Sequence, residues 1–61
     1  MKIEKSKRYR VVKSTTEDFT DLGVLPGSDV KRLLKGYILD ERYDMFFSEK
    51  GFTGYVIEEV A

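Results

Sequence analysis

Three carboxylates, Asp40, Glu41 and Asp44, fall within one short stretch and are the residues best spaced for chemistry. Paired carboxylates serve general acid–base catalysis, and clusters of oxygen ligands hold hard cations such as calcium. Arg42 lies among the three acids, however, and the stretch has no glycine for the sharp bend of a calcium-binding loop. The spacing therefore favours an exposed turn over a catalytic or metal site.

The chain has no cysteine and no histidine among its 61 residues. Disulfides and thiolate metal sites are therefore excluded, and the most common general base and metal ligand is absent. The sequence also has no nucleophile elbow and no glycine-rich loop for phosphate. We therefore expect a protein that is not an enzyme and that needs neither a metal nor a cofactor.

A chain of 61 residues without a disulfide can bury one modest core. We expect a single domain over residues 1–61, with residues 1–6 frayed. The amino terminus lacks the apolar segment of a signal peptide, and no apolar run approaches the roughly 20 residues that span a bilayer. These features predict a cytoplasmic protein without a membrane partner.

Several short apolar segments predict β-strands. Residues 8–14 mix β-branched, aromatic and charged side chains in partial alternation, which places Tyr9 and Val11 on one buried face. Apolar runs at residues 37–39, 45–47 and 52–57 are separated by short polar segments. This spacing is typical of a meander of hairpins.

Two segments are predicted to connect these strands. Residues 15–21 are polar except for Phe19, which indicates a long acidic loop anchored by that one ring. At Pro26 and Gly27, the proline suits the second position of a type II turn, and the glycine would supply the positive φ of the third position.

Residues 28–36 fit two structures. Ser28 as a cap, apolar residues at helical spacing and Gly36 at the end favour a helix. Nine residues are few for a stable helix, however, and a strand with a bulge after Lys31 also accommodates the sequence. We favour the strand and hence a mainly β fold, a small five-stranded barrel. The alternative is an α+β fold with a short helix at 28–36 packed on a three- or four-stranded antiparallel sheet.

The preference for a barrel rests on a resemblance. Three motifs follow one another as in Src homology 3 domains: Thr16-Glu17-Asp18, then Leu22-x-Val24-x-x-Gly27-x-x-Val30, then Gly51-x-x-Gly54-Tyr55-Val56. The middle motif also resembles the ferrous-iron-transport accessory protein A family. Both resemblances imply a five-stranded small barrel. Arg10 and Val12 stand where Src homology 3 domains carry ligand-binding aromatic residues, so the resemblance does not extend to polyproline recognition.

Charged residues are balanced overall and segregated along the chain. Eleven basic and eleven acidic side chains give a net charge of zero. The first predicted strand is basic and interleaves a tyrosine, as nucleic-acid-binding barrels do. An alternative function is therefore nucleic-acid binding through Lys7, Arg8, Arg10 and Lys13. The zero total charge makes nucleic acid the less favoured partner.

Aromatic residues make up 13% of the chain, more than a core of this size can hold. Phe46 and Phe47 alternate on a strand, so one of them must leave the core. The hypothesis that follows is a small protein-binding module, an adaptor or inhibitor of the kind that mobile genetic elements encode, acting as a monomer or weak homodimer. Its expected protein-binding residues are Tyr37, Tyr43, Phe47, Phe52 and Tyr55.

Overall fold

The computed structural model describes residues 2–48 and 53–61. These residues form one five-stranded sheet and a short helix, in the chain order β1 (Arg8–Ser14), β2 (Phe19–Pro26), α1 (Gly27–Leu33), β3 (Tyr37–Asp40), β4 (Met45–Ser48) and β5 (Gly54–Val60). All neighbouring strands are antiparallel, and their order across the sheet is β2-β1-β5-β4-β3. The prediction of a mainly β protein with five strands is confirmed.

The sheet is open, so the expectation of a closed barrel is wrong. Strands β2 and β3 lie at opposite edges, and no ladder joins them among the described residues. The chain between these two strands forms α1, which contacts β1 and β2. Because α1 leads the chain across the sheet, β3 pairs with β4 at the far edge instead of returning to β2.

The strand that we favoured for residues 28–36 is wrong, and the helix of the alternative is present with the bounds 27–33. Its partner is a sheet of five strands, where the alternative expected three or four. Val30 is fully buried and Leu34 is nearly so, at the spacing that places both on one side of a helix. Burial of a side chain such as Val30 contributes about 1.5–3 kcal/mol, so packing stabilises a helix too short to form alone.

The predicted type II turn at Pro26 and Gly27 is also wrong. Pro26 is extended, with φ −66° and ψ 150°, and Gly27 is the first residue of α1. Among the described glycines, the positive φ values belong to Gly23 and Gly36. Gly23 follows an irregularity in which Leu22 is an extra residue between the pairs Val11 with Gly23 and Val12 with Asp21.

The core lies on one face of the sheet, which we call the inner face. Tyr9 and Val11 are fully buried there, so the prediction that they share a face is confirmed. Helix α1 and the segment before β1 cover this face and contribute the remaining side chains. The buried apolar residues among those described are Ile3, Tyr9, Val11, Val30, Leu34, Tyr55 and Ile57.

The segment that precedes β1 is part of this packing. Ile3 is buried in the core, and the backbone N–H of Glu4 donates to the hydroxyl of Tyr9 at 2.8 Å. The carbonyl of Lys7 accepts the N–H of Gly27 at 2.7 Å, which ties the start of β1 to the start of α1. Fraying of residues 1–6 stays a prediction about motion, but the placement of Ile3 was not anticipated from the sequence.

Candidate binding surface

The outer face of the sheet is the face opposite the core, and none of the described elements packs on it. Strand register places one residue from each strand side by side across this face, and we call these five residues the outer row. Its members, from edge to edge, are Ile38, Phe47, Gly54, Ser14 and Phe19. The row carries an exposed large apolar side chain at each end, because Phe19 is 73% exposed and Ile38 is 57% exposed.

Phe47 stands near the centre of the outer row and is held on two sides. Its ring lies over Gly54, where an added Cβ would be 3.0 Å from Phe47 Cε1. The ring of Tyr43 meets it edge to face, with centroids 6.3 Å apart and an interplanar angle of 80°. Tyr43 itself is 65% exposed. The two rings therefore form a supported aromatic pair that is open to a partner.

An ion pair fixes the turn that presents Tyr43. The Asp40 carboxylate accepts three hydrogen bonds from Arg42: from the backbone N–H at 3.0 Å, from Nε at 3.3 Å and from a terminal nitrogen at 3.1 Å. These hydrogen bonds lower the pKa of Asp40 below its ordinary value and raise that of Arg42. The Arg42 guanidinium also lies 5.5 Å from the centroid of the Tyr43 ring. Side-chain as well as backbone hydrogen bonds therefore stabilise the turn.

A shallow depression of about 510 Å³ opens beside this turn. Its lining includes Ile38 and Phe47, which pair directly across β3 and β4. Two carboxylates, those of Asp40 and Glu41, also line it. The lining residues are Ile38, Leu39, Asp40, Glu41, Arg42, Phe47 and Ser48.

The five predicted protein-binding residues do not lie on one surface. Tyr43 and Phe47 meet on the outer face, whereas Tyr37 and Tyr55 meet on the inner face with ring centroids 5.1 Å apart. Tyr55 is only 6% exposed, and partial burial beside it raises the pKa of Tyr37 above its ordinary value. Phe52 lies outside the described residues. Pattern reasoning found the aromatic residues but not the face that each one occupies.

Sequence reasoning missed two members of the outer row. Phe19 was expected to anchor a loop over residues 15–21, but it begins β2 and is largely exposed, so that expectation is wrong. Ile38 was seen only as part of an apolar run. Only the strand register places Phe19 and Ile38 in the outer row, because it brings residues that are far apart in the chain next to each other.

The basic residues of the nucleic-acid alternative are dispersed. Lys7 bonds to Glu4 at 2.9 Å and to Glu59 at 3.2 Å, and these carboxylates raise its pKa well above the ordinary value. Arg10 bonds to Asp21 at 3.1 Å. The other two basic residues occupy opposite faces, because Lys13 pairs with the buried Tyr55, while Arg8 is two residues from Arg10 and shares its face. They do not form a single basic track along the strand.

The described residues contain neither a cluster of metal ligands nor a membrane-spanning helix, and comparison with known proteins gives no match. Across residues 2–48 and 53–61, no group of three or more potential metal ligands comes together. In the same part of the chain, no helix is long and apolar enough to cross a membrane. No family model, curated protein or solved structure matches the chain.

Proposed function

We propose that this protein is a small non-catalytic binding module, an adaptor or an inhibitor, that docks on another protein through the outer row and Tyr43. The observation that carries this proposal is the outer row, in which Ile38, Phe47 and Phe19 present apolar side chains on a face that none of the described elements covers. Exposed apolar patches of this kind mark interaction sites on small soluble domains.

The composition of the surface supports the proposal. Phenylalanine and tyrosine bury a large area at a low cost in conformational entropy, and they are frequent among the residues that dominate binding energy. Phe47 and Tyr43 already hold each other in place. Binding therefore requires little further ordering of these two side chains, which favours affinity.

The dispersal of the basic residues argues against the nucleic-acid alternative. Lys7 and Arg10 are each bonded to a carboxylate, so contact with phosphate would require those ion pairs to break. Affinity for nucleic acid depends on several cations that neutralise neighbouring phosphates together. Strand β1 does not offer such a set.

A display selection tests protein docking without assuming a partner. A library of random peptides is selected on the wild-type protein and, in parallel, on the double variant Ile38→Ser with Phe47→Ser. We expect the wild-type protein to enrich a recurrent peptide class that the variant does not retain. A matched control, Lys31→Ser with Lys35→Ser on the helix side, is expected to retain it.

Two results would contradict the proposal. One is the absence of any recurrent peptide on the wild-type protein. The other is equal enrichment on the wild-type protein and on a folded Ile38→Ser, Phe47→Ser variant, which would place docking elsewhere. An amide NMR spectrum with wild-type dispersion establishes that the variant is folded before selection begins.

A further inference from the structure

Charge is divided between the two sides of the sheet, although the whole chain is neutral. The covered side comprises the inner face, α1 with the turn after it, and the segment before β1. Within residues 2–48 and 53–61, seven basic and three acidic residues belong to this side: Lys2, Lys5, Lys7, Lys13, Lys31, Arg32 and Lys35 against Glu4, Asp29 and Glu59.

The open side has the opposite balance. It comprises the outer face and the loop of residues 41–44, whose Tyr43 meets Phe47 on that face. Among the described residues, three basic and five acidic ones belong to this side: Arg8, Arg10 and Arg42 against Asp21, Asp40, Glu41, Asp44 and Glu58. The open side therefore carries a surplus of acid where the apolar outer row is exposed.

Ion pairing leaves the surplus of acid unchanged, because each pair removes one charge of each sign. Arg10 and Arg42 are already bonded to Asp21 and Asp40. Among the described residues, no ion pair involves Glu41 or Asp44, which stand in the loop beside the depression. Glu41 lines the depression together with Ile38 and Phe47, and Asp44 follows Tyr43 in the same loop.

From this arrangement we propose that the occupant of the outer row is a basic amphipathic segment of another protein, with apolar side chains on the row and lysine or arginine beside Glu41 and Asp44. This inference rests on the proposed docking function and adds the chemistry of the partner. Complementary charge steers encounter and selects among partners, while the apolar contacts supply most of the affinity.

The same charges disfavour two other occupants. Phosphates would meet a surface with surplus negative charge, which opposes nucleic acid. A second copy docked face to face through the outer row would bring two acidic sides together, which opposes a twofold dimer through this surface.

A pair of synthetic peptides tests the proposal. One has Leu-Phe at its centre with lysines on both sides, and the other has glutamates in place of the lysines. Each is titrated into the labelled wild-type protein and followed by amide NMR. We expect the lysine peptide to shift signals of Ile38 and Phe47 and to bind at least about tenfold more tightly than the glutamate peptide. We also expect its affinity to fall as salt is added.

Variants that remove charges show which side of the protein attracts the lysine peptide. Glu41→Gln with Asp44→Asn removes two open-side charges, and asparagine tolerates the positive φ of 52° at position 44. We expect this variant to bind the lysine peptide several-fold more weakly. The control Lys31→Gln with Lys35→Gln removes two charges from the covered side and is expected not to weaken binding.

Four results would each contradict the proposal of a basic partner. The first is equal binding of both peptides at the outer row, and the second is a lysine peptide that shifts only signals of the covered side. The third is the absence of binding by either peptide, and the fourth is a dimer in sedimentation that Phe47→Ser dissociates. Equal binding of both peptides at the row would leave docking itself intact. Failure of docking is decided separately by the display selection.

Discussion

The ring of Phe47 occupies the space that a side chain at Gly54 would fill. An ideal Cβ on Gly54 would lie 3.0 Å from Phe47 Cε1 and 3.1 Å from Met45 Cε. Gly54 has no positive φ, so its backbone would accept another residue. The absence of a side chain at position 54 therefore leaves room for the ring of Phe47 on the neighbouring strand β4.

This relationship predicts a sign change in a double-mutant cycle. In the wild-type protein, Gly54→Ala should lower the free energy of unfolding by about 1 kcal/mol, because the ring must shift. In a Phe47→Ala background the same change should raise it by about 0.5–1 kcal/mol, because alanine costs less backbone entropy than glycine. Urea denaturation measures both values, and additive effects would show that the ring and Gly54 are not coupled.

At Gly27, helix propensity and packing have opposite effects on the stability of an alanine variant. Alanine is favoured over glycine inside helices by about 1 kcal/mol, so propensity alone predicts that Gly27→Ala stabilises α1. A Cβ at this position would overlap the carbonyl oxygen of Glu4, however. We expect a net loss of about 1–3 kcal/mol on thermal or urea denaturation, because backbone must move.

Ser28→Ala is the matched control for Gly27→Ala. Ser28 is the next residue of α1 and is exposed. No side-chain hydrogen bond caps the start of this helix. Its replacement should change stability by less than about 0.5 kcal/mol. A stabilised Gly27→Ala protein would show that Glu4 does not pack against the helix start.

The hydrogen bond from Glu4 to the Tyr9 hydroxyl should stabilise the segment before β1. Tyr9→Phe keeps the buried ring but leaves the N–H of Glu4 without its acceptor. We expect a loss of about 1 kcal/mol and faster hydrogen exchange at the Glu4 amide. Tyr43→Phe, which removes a hydroxyl from an exposed ring, should change neither quantity. Unchanged exchange at Glu4 in Tyr9→Phe would contradict the hydrogen bond.

Asp40 should titrate below its ordinary pKa of 3.8, because Arg42 donates to its ionised form. The ion pair therefore stabilises the folded protein at pH values above the ordinary pKa of Asp40. Its contribution to stability disappears as the pH falls through the lowered pKa of the folded protein. Because Arg42 is largely exposed and Asp40 is only partly buried, solvent screens the pair, and the carboxyl pKa is a better measure of it than stability.

An NMR titration of the Asp40 carboxyl measures this shift in the wild-type protein and in Arg42→Gln. The variant should return the pKa towards 3.8. Arg32→Gln is the control, because Arg32 pairs with Asp29 on the helix and not with Asp40. An Asp40 pKa that is the same in Arg42→Gln and the wild-type protein would rule out the pair.

Local pattern was sufficient for most of the strands. Alternation predicted β1 with its observed bounds and placed Tyr9 and Val11 on one buried face. The helix was assigned wrongly because residues 28–36 contain only two turns of apolar spacing. Its stability comes from the burial of Val30 and Leu34 against strands from both ends of the chain, which no local window contains.

The sequence predicted part of the candidate binding surface but not which residues face outward. Alternation requires Phe46 and Phe47 to face opposite ways, but it does not determine which one enters the core. Pairing with Tyr55 places Phe46 on the inner face, and pairing with Gly54 places Phe47 on the outer face. Phe19 and Ile38 join the outer row only through the register of all five strands, a property of the whole sheet.

The position of β1 in the sheet has a consequence for the order of synthesis. Strand β1 leaves the ribosome before β5, yet β5 is one of its two neighbours in the sheet, and Lys7 bonds to Glu59 across 52 residues of chain. Tyr9 and Val11 therefore lack their packing partner Ile57 until β5 has emerged. Closure of the core must wait for β5, so nascent chains that stop before this strand would expose the apolar side of β1 to chaperones and proteases.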